Sequence, residues 1–220
     1  MQTSQTQTKT IFMIITALLG CFGILLQFYL ILANQTSAVS FWGRFFNFFS
    51  YFTVSTNILV TLSLMFSLLQ SSSGVGQFFR RPIVHSAIAM YILIVGLVYF
   101  FILQKLWKPQ GLDWVADSTL HYAIPFLYTI YWLAFIPKGQ VKWKHSLVWL
   151  IYPAIYFGYS LLRGAVTHWY PYPFIDVKEN GYDGALKNAG ILLVVFLVMA
   201  LLFISIDKLI ARPGKRTSRK

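Results

Sequence analysis

The chain has 220 residues, of which 57% are hydrophobic and 18% aromatic, while only 11% are charged. Soluble domains carry about 25% charged residues, so this composition excludes a water-soluble globule and a disordered tail. A disulfide scaffold is excluded as well, because Cys21 is the single cysteine. The net charge of +12 lies in Lys and Arg between long apolar runs, where it reports membrane orientation rather than a nucleic-acid surface.

A helix needs roughly 20 apolar residues to cross about 30 Å of hydrocarbon. In chain order, spans are expected over residues 11–33, 48–70, 83–104, 119–136, 146–163 and 187–206. The 11–33 run is too long for a signal-peptide core and has no convincing cleavage site, so it is expected to be retained. The fourth and fifth spans are interrupted by Pro125 and Pro153, which membrane helices tolerate when neighbours satisfy the freed carbonyl. The expected fold is an all-α, polytopic bundle of six transmembrane helices. It forms one domain over 11–210, between a polar tail at 1–10 and a basic tail at 211–220.

Basic residues set the orientation. With the N-terminus inside, the inner segments hold Lys9, Arg80, Arg81, Lys138, Lys142, Lys144, Lys208, Arg212, Lys215, Arg216, Arg219 and Lys220. The outer segments hold Arg44, Lys105, Lys108, Arg163, Lys178 and Lys187. Twelve against six predicts both termini in the cytoplasm of a multi-pass cell-membrane protein.

No Asp or Glu falls within the spans so drawn, and Asp207 lies just past the last one, within reach of water or headgroups. Ion-coupled transporters place carboxylates inside the bundle, so that class is disfavoured and passive transport is not. The uncharged polar groups gather at one depth. Thr53 is expected about five residues, roughly 7–8 Å, into the second span, with Asn57 one turn further on the same face. His121 falls in the first turn of the fourth span, Gln27 in the outer half of the first, and Arg163 at the end of the fifth. The aromatic run Trp169-Tyr170-Pro171-Tyr172-Pro173-Phe174 follows on the same side.

Each residue has a plainer role beside a chemical one. A helical threonine commonly bonds its own i−4 carbonyl, an interfacial arginine snorkels to headgroups, and Asn57 and Gln27 suit interhelical hydrogen bonds. His121 is the group that can act as a base near neutral pH without a shifted pKa. Pro125 adds to its case, since proline has no N–H to give the His121 carbonyl and kinks the helix there. His85 and His145 begin helices on the inner side. No HxxxH, CxxC, phosphate-loop or GxSxG motif occurs, so no metal or other cofactor is expected.

Four stretches together resemble the bacterial Pr6Pr membrane proteins, which are similar to the androgen-induced membrane proteins of animals. They are Tyr51-Phe52-Thr53-Val54-Ser55-Thr56-Asn57, Leu120-His121-Tyr122-Ala123-Ile124-Pro125, Pro137-Lys138-Gly139, and Arg163-Gly164-Ala165-Val166-Thr167 with the aromatic run. The resemblance covers nearly the whole chain. It implies a threonine-dependent hydrolase of lipid esters, in particular fatty acid esters of hydroxy fatty acids, with Thr53 as nucleophile and His121 as base. Thr56 stands where the family usually has serine and offers a second hydroxyl. Tyr131 stands where bacterial relatives carry an acid, so no carboxylate is expected there to orient the histidine.

A threonine hydroxyl is a weak nucleophile until a base takes its proton, and the oxyanion formed needs donors. Asn57, Arg163 and Tyr172 are the nearest candidates by topology. A site at the outer interface admits acyl chains from the leaflet and water from outside, so membrane lipids are the expected partners. Two other readings remain open: a non-enzymatic protein that binds or passively transports a lipid or small amphiphile, and an assembly partner docking through its aromatic outer loops.

Overall fold

The computed structural model describes residues 2–34, 39–106 and 108–211, with side chains from residue 5 onward. The described part is helical throughout, with no strand. Most of the basic tail expected at 211–220 lies outside the described residues. The helices are α1 (Gln2–Ala33), α2 (Phe41–Phe49), α3 (Phe52–Leu68), α4 (Gly74–Phe79), α5 (Pro82–Phe101), α6 (Gly111–Ser118), α7 (Ile124–Phe135), α8 (His145–Trp149), α9 (Ile151–Thr167) and α10 (Val177–Ile210). The polar stretch 1–10 belongs to this architecture from its second residue, because α1 already runs from Gln2.

Three of these helices are long and apolar enough to cross a membrane, within Gln5–Ala33, Pro82–Lys105 and Val177–Ile210, and α2 with α3 makes a fourth if the bent pair is one span. Their outer faces are apolar. On α1, Ile11, Ile15, Leu18 and Leu25 are all more than half exposed, an apolar stripe at helical spacing consistent with a lipid-facing surface. α5 is the most enclosed and packs against α3, α7 and α10.

Local chemistry marks the helix ends. The Ser40 hydroxyl caps α2 by accepting from the Gly43 N–H at 3.1 Å, Pro82 opens α5 where its missing N–H costs nothing, and Asp176 caps α10 through the Lys178 N–H. α9 ends at His168, a left-handed residue with φ +57° whose N–H reaches the Gly164 carbonyl. This reverses the chain into the aromatic run. The Tyr170 ring fills the space that a Cβ on Gly164 would occupy.

Two expectations are corrected. The 48–70 span is not one continuous helix: α2 stops at Phe49, Tyr51 is extended (φ −79°, ψ 131°), and α3 starts at Phe52 after a bend of 62°. Thr53 is therefore in the first turn of α3 rather than five residues down a rod. Asp207, expected at a wet end, is fully buried. Its Oδ2 accepts the N–H groups of Gly139 (2.9 Å) and Val141 (3.2 Å) and so fastens the loop after α7 onto α10. Lys138 in that loop donates to the Trp132 and Ile136 carbonyls and lies 4.0 Å over the Trp132 ring. Asp207→Ala strands two N–H groups that now bond a carboxylate. It is expected to lower stability by about 3 kcal/mol, read as an earlier thermal melt in detergent, with Asp207→Asn intermediate.

His85, at the same end, is buried and fully engaged. Its Nδ1 meets the Tyr128 hydroxyl at 2.8 Å and its Nε2 the Ser67 hydroxyl at 3.2 Å, while Tyr128 also meets Ser63 at 2.7 Å. This network satisfies core polar groups.

Candidate active site

At the opposite end, where α1 finishes and α3 begins, a cavity of about 380 Å³ is lined by α1, α3, α5, α6 and the aromatic run. Gln27, Asn34, Tyr51, Thr53, Tyr99, Asp113, Asp117, His121 and Tyr172 supply its polar surface.

The break at Ser50-Tyr51 aims Thr53 into this space from the first turn of α3. There the backbone N–H groups lack intrahelical partners and the helix dipole is positive. The Thr53 N–H donates to the Tyr172 hydroxyl at 3.2 Å, and the Thr53 and Tyr172 hydroxyls lie 3.3 Å apart. His121 approaches from the other side, its Nε2 3.3 Å from Thr53 Oγ1. That is slightly long for a working contact, as such pairs often are without substrate.

His121 lies in a π-helical turn, Thr119–Ala123, inserted between α6 and α7. The Ile124 N–H reaches back five residues to the Thr119 carbonyl. Pro125 explains the turn, because it cannot supply the N–H that an α-helix would direct to the His121 carbonyl. Two glycines let neighbouring helices close on this bulge: a Cβ on Gly23 of α1 would fall 2.8 Å from Thr119, and one on Gly96 of α5 only 3.2 Å from the His121 carbonyl. Pro125→Ala restores the missing donor and favours an ordinary turn, which shortens the helix by one bulged residue and re-aims His121. The expected result is a melt near wild type with at least a tenfold loss of activity, since misplacement by about 1 Å can cost 10²-fold. Unchanged activity would mean the bulge has no part in the site.

A carboxylate stands behind the histidine. His121 Nδ1 is 3.0 Å from the Asp117 carbonyl and 3.1 Å from Asp117 Oδ1. With that carboxylate ionised, both are acceptors only, so Nδ1 carries the proton and Nε2 presents its lone pair to Thr53. Tyr99 donates to the second oxygen of Asp117, and its ring stacks on the imidazole with centroids 4.1 Å apart. Asp117 lies just before the 119–136 span, as expected, but in a helix continuous with it rather than in a loop. Asp117 is 8% exposed and belongs to the same helical rod as His121. Its signal is the i−4 spacing to the histidine, which puts both on one helix face.

The expected oxyanion donors separate. Tyr172 is at the hydroxyl, and burial pushes its phenol up to about 12, so it remains a protonated donor at neutral pH. Asn57 is buried beneath the site, but its amide N–H groups are given to the Thr53 and Leu120 carbonyls. Arg163 is absent from the cavity wall. It donates to Asn47 Oδ1 at 2.6 Å and lies 4.6 Å over the Trp169 ring, pinning α9 and the aromatic run to α2. The alternative hydroxyl, Thr56, faces Tyr152 at 3.3 Å.

The chain matches no family model, no curated protein and no solved structure.

Proposed function

We propose that the protein is an integral membrane hydrolase of lipid esters, with Thr53 as nucleophile, His121 as general base and Asp117 as the group that orients it. The observation that carries this reading is the continuous contact from Thr53 Oγ1 through His121 to Asp117 on the wall of one cavity. This is the nucleophile–base–orienter geometry that defines acyl-transfer sites regardless of fold.

The chemistry follows from the contacts. Thr53 Oγ1 attacks the ester carbonyl carbon as its proton passes to His121 Nε2. The tetrahedral oxyanion is stabilised by the Tyr172 phenol and the positive end of α3. Collapse breaks the bond to the leaving alcohol, which takes the proton from His121. Water, deprotonated by the same imidazole, then cleaves the acyl-threonine, releasing the fatty acid and restoring the hydroxyl. The resemblance to the Pr6Pr and androgen-induced families supports the same two residues.

The membrane arrangement completes the reading. The helical rods α1, α2–α3, α5, α6–α7, α8–α9 and α10 correspond in order to six crossings, with both termini cytoplasmic and the cavity in the outer half of the cell membrane. The basic-residue bias supports this orientation. A cysteine introduced at Ser72 is then expected to resist an impermeant thiol reagent in intact cells, and one at the exposed Leu112 to be labelled.

Labelling with a fluorophosphonate probe tests the activity. The wild-type protein is expected to label and Thr53→Val is not. Equal labelling of both would overturn the nucleophile, and absence of labelling together with lipid retention by the purified protein would favour the non-enzymatic binding reading.

A further inference from the structure

Asn57 is a polar residue beside the site to which the proposed chemistry gives no task. It is fully buried, lies outside the cavity wall, and its Oδ1 has no hydrogen-bond partner among the described residues. A buried acceptor left unpaired is destabilising. An apolar side chain of similar size would suit this position better, unless the amide N–H groups do something that leucine cannot.

Those N–H groups join two carbonyls. Asn57 Nδ2 donates to the Thr53 carbonyl at 2.8 Å and to the Leu120 carbonyl at 3.2 Å. The two acceptors are not equivalent. The Thr53 carbonyl lies one turn before Asn57 in α3 and has a regular helical donor in the Asn57 backbone N–H. The Leu120 carbonyl has no such donor in its own helix. An α-helix would give it the Ile124 N–H, but the π turn sends that group to Thr119. A π-helix would give it the N–H of residue 125, and Pro125 has none. Leu120 is only 1% exposed, so its carbonyl needs a partner from inside the protein. Asn57 supplies it from another helix.

We infer that Asn57 is a positioning residue of the site: its amide holds the π turn that carries the base and ties it to the first turn of α3, which carries the nucleophile. This rests on the proposed hydrolase reading for what is positioned, whereas the hold on the π turn stands without it. Leu120 directly precedes His121, so the tie runs from main chain to main chain beneath the 3.3 Å contact between His121 Nε2 and Thr53 Oγ1. Pro125 creates the unpaired carbonyl and Asn57 answers it. The two residues, on different helices, are therefore coupled in stability.

The test is a double-mutant cycle on the purified full-length protein in detergent, read by thermal melting. Asn57→Leu is expected to lower the melt by about 5 °C, the scale of one stranded buried carbonyl in a chain of this size. Pro125→Ala returns an N–H, which meets Leu120 directly in a π turn or frees the Ile124 N–H to do so in an α turn. In that background Asn57→Leu is expected to shift the melt by less than about 2 °C. An amide that only fills space predicts equal shifts in both backgrounds, or a rise in both as the unpaired Oδ1 is removed; either result overturns the inference. If Asn57→Leu alone does not fold, a cooperative melt in Asn57→Leu/Pro125→Ala supports the inference and its absence overturns it.

Hydrolysis is read with two probes, para-nitrophenyl decanoate and a palmitoyl ester of hydroxystearic acid. Asn57→Leu is expected to lose at least about tenfold in kcat through misplacement of the base. KM should stay within about twofold, because Asn57 does not touch the cavity. An unchanged kcat overturns the positioning role. Coupled melts with turnover of neither probe by wild type remove the hydrolase reading and leave the hold on the π turn standing. Turnover by wild type with uncoupled melts does the reverse.

Discussion

Thr53→Val is expected to abolish lipid-ester hydrolysis while the protein remains folded. Valine keeps the shape and removes one hydroxyl whose partners are Tyr172 and His121. Losing such hydrogen bonds costs about 1 kcal/mol, a shift of about 2–4 °C in the melt of a chain this size. Thr53→Ser keeps the nucleophile without the methyl group that restricts its rotamer, so it retains part of the rate. His121→Ala removes the base from the same step, and residues acting on one step are grossly non-additive. The double variant Thr53→Val/His121→Ala is therefore expected to be no slower than either single variant within about threefold, where independent effects would multiply. Normal turnover by Thr53→Val would make Thr53 a packing residue. Full activity in His121→Ala would leave the nucleophile and remove its base.

That experiment targets the part of the site most legible in the sequence. Thr53 and His121 are readable because each is a polar side chain near the end of an apolar run, and the runs alternate in direction, which brings such ends together. Pro125 is readable for a similar reason, since its missing N–H acts locally. What the sequence does not mark is the close packing around the resulting π turn, where Gly23 and Gly96 let two other helices approach it. Hydropathy fails where helices extend beyond their apolar stretch. The 119–136 run begins two residues after Asp117, which assigns the acid to a loop although the helical rod starts at Gly111. The same reasoning puts Asp207 in water, yet the loop at Gly139 and Val141 folds over it. Its position at a span end is all that assigns Arg163 to the site. Its partner Asn47 belongs to a short helix that exists only because the chain breaks at Tyr51, and nothing in the apolar pattern marks that break.

Asp117→Asn carries the sharpest expectation about mechanism. The carboxylate accepts on both oxygens, from Tyr99 on one and from His121 Nδ1 on the other. The replacement amide has one acceptor and one donor end. If Tyr99 keeps its bond to the remaining oxygen, the amide N–H₂ faces Nδ1 and favours the tautomer with the proton on Nε2, which cannot take the threonine proton. A loss of about 10²–10⁴-fold in kcat is expected, by analogy with the wrong-tautomer effect in serine hydrolases, with KM little changed because the substrate does not contact Nδ1. Tyr99→Phe removes the donor that fixes the amide, so the amide oxygen at position 117 can turn toward the histidine. The variant Asp117→Asn/Tyr99→Phe is accordingly expected to be more active than Asp117→Asn alone. A purely structural role for Asp117 predicts the opposite order, since two lesions in one buried contact would destabilise more than one. Nitrogen NMR of the imidazole supplies a readout independent of rate: wild type is expected with the proton on Nδ1 and Asp117→Asn with a substantial population protonated on Nε2. Near-normal kcat in Asp117→Asn would show that the Asp117 backbone carbonyl, 3.0 Å from Nδ1, orients the ring without help from the side chain.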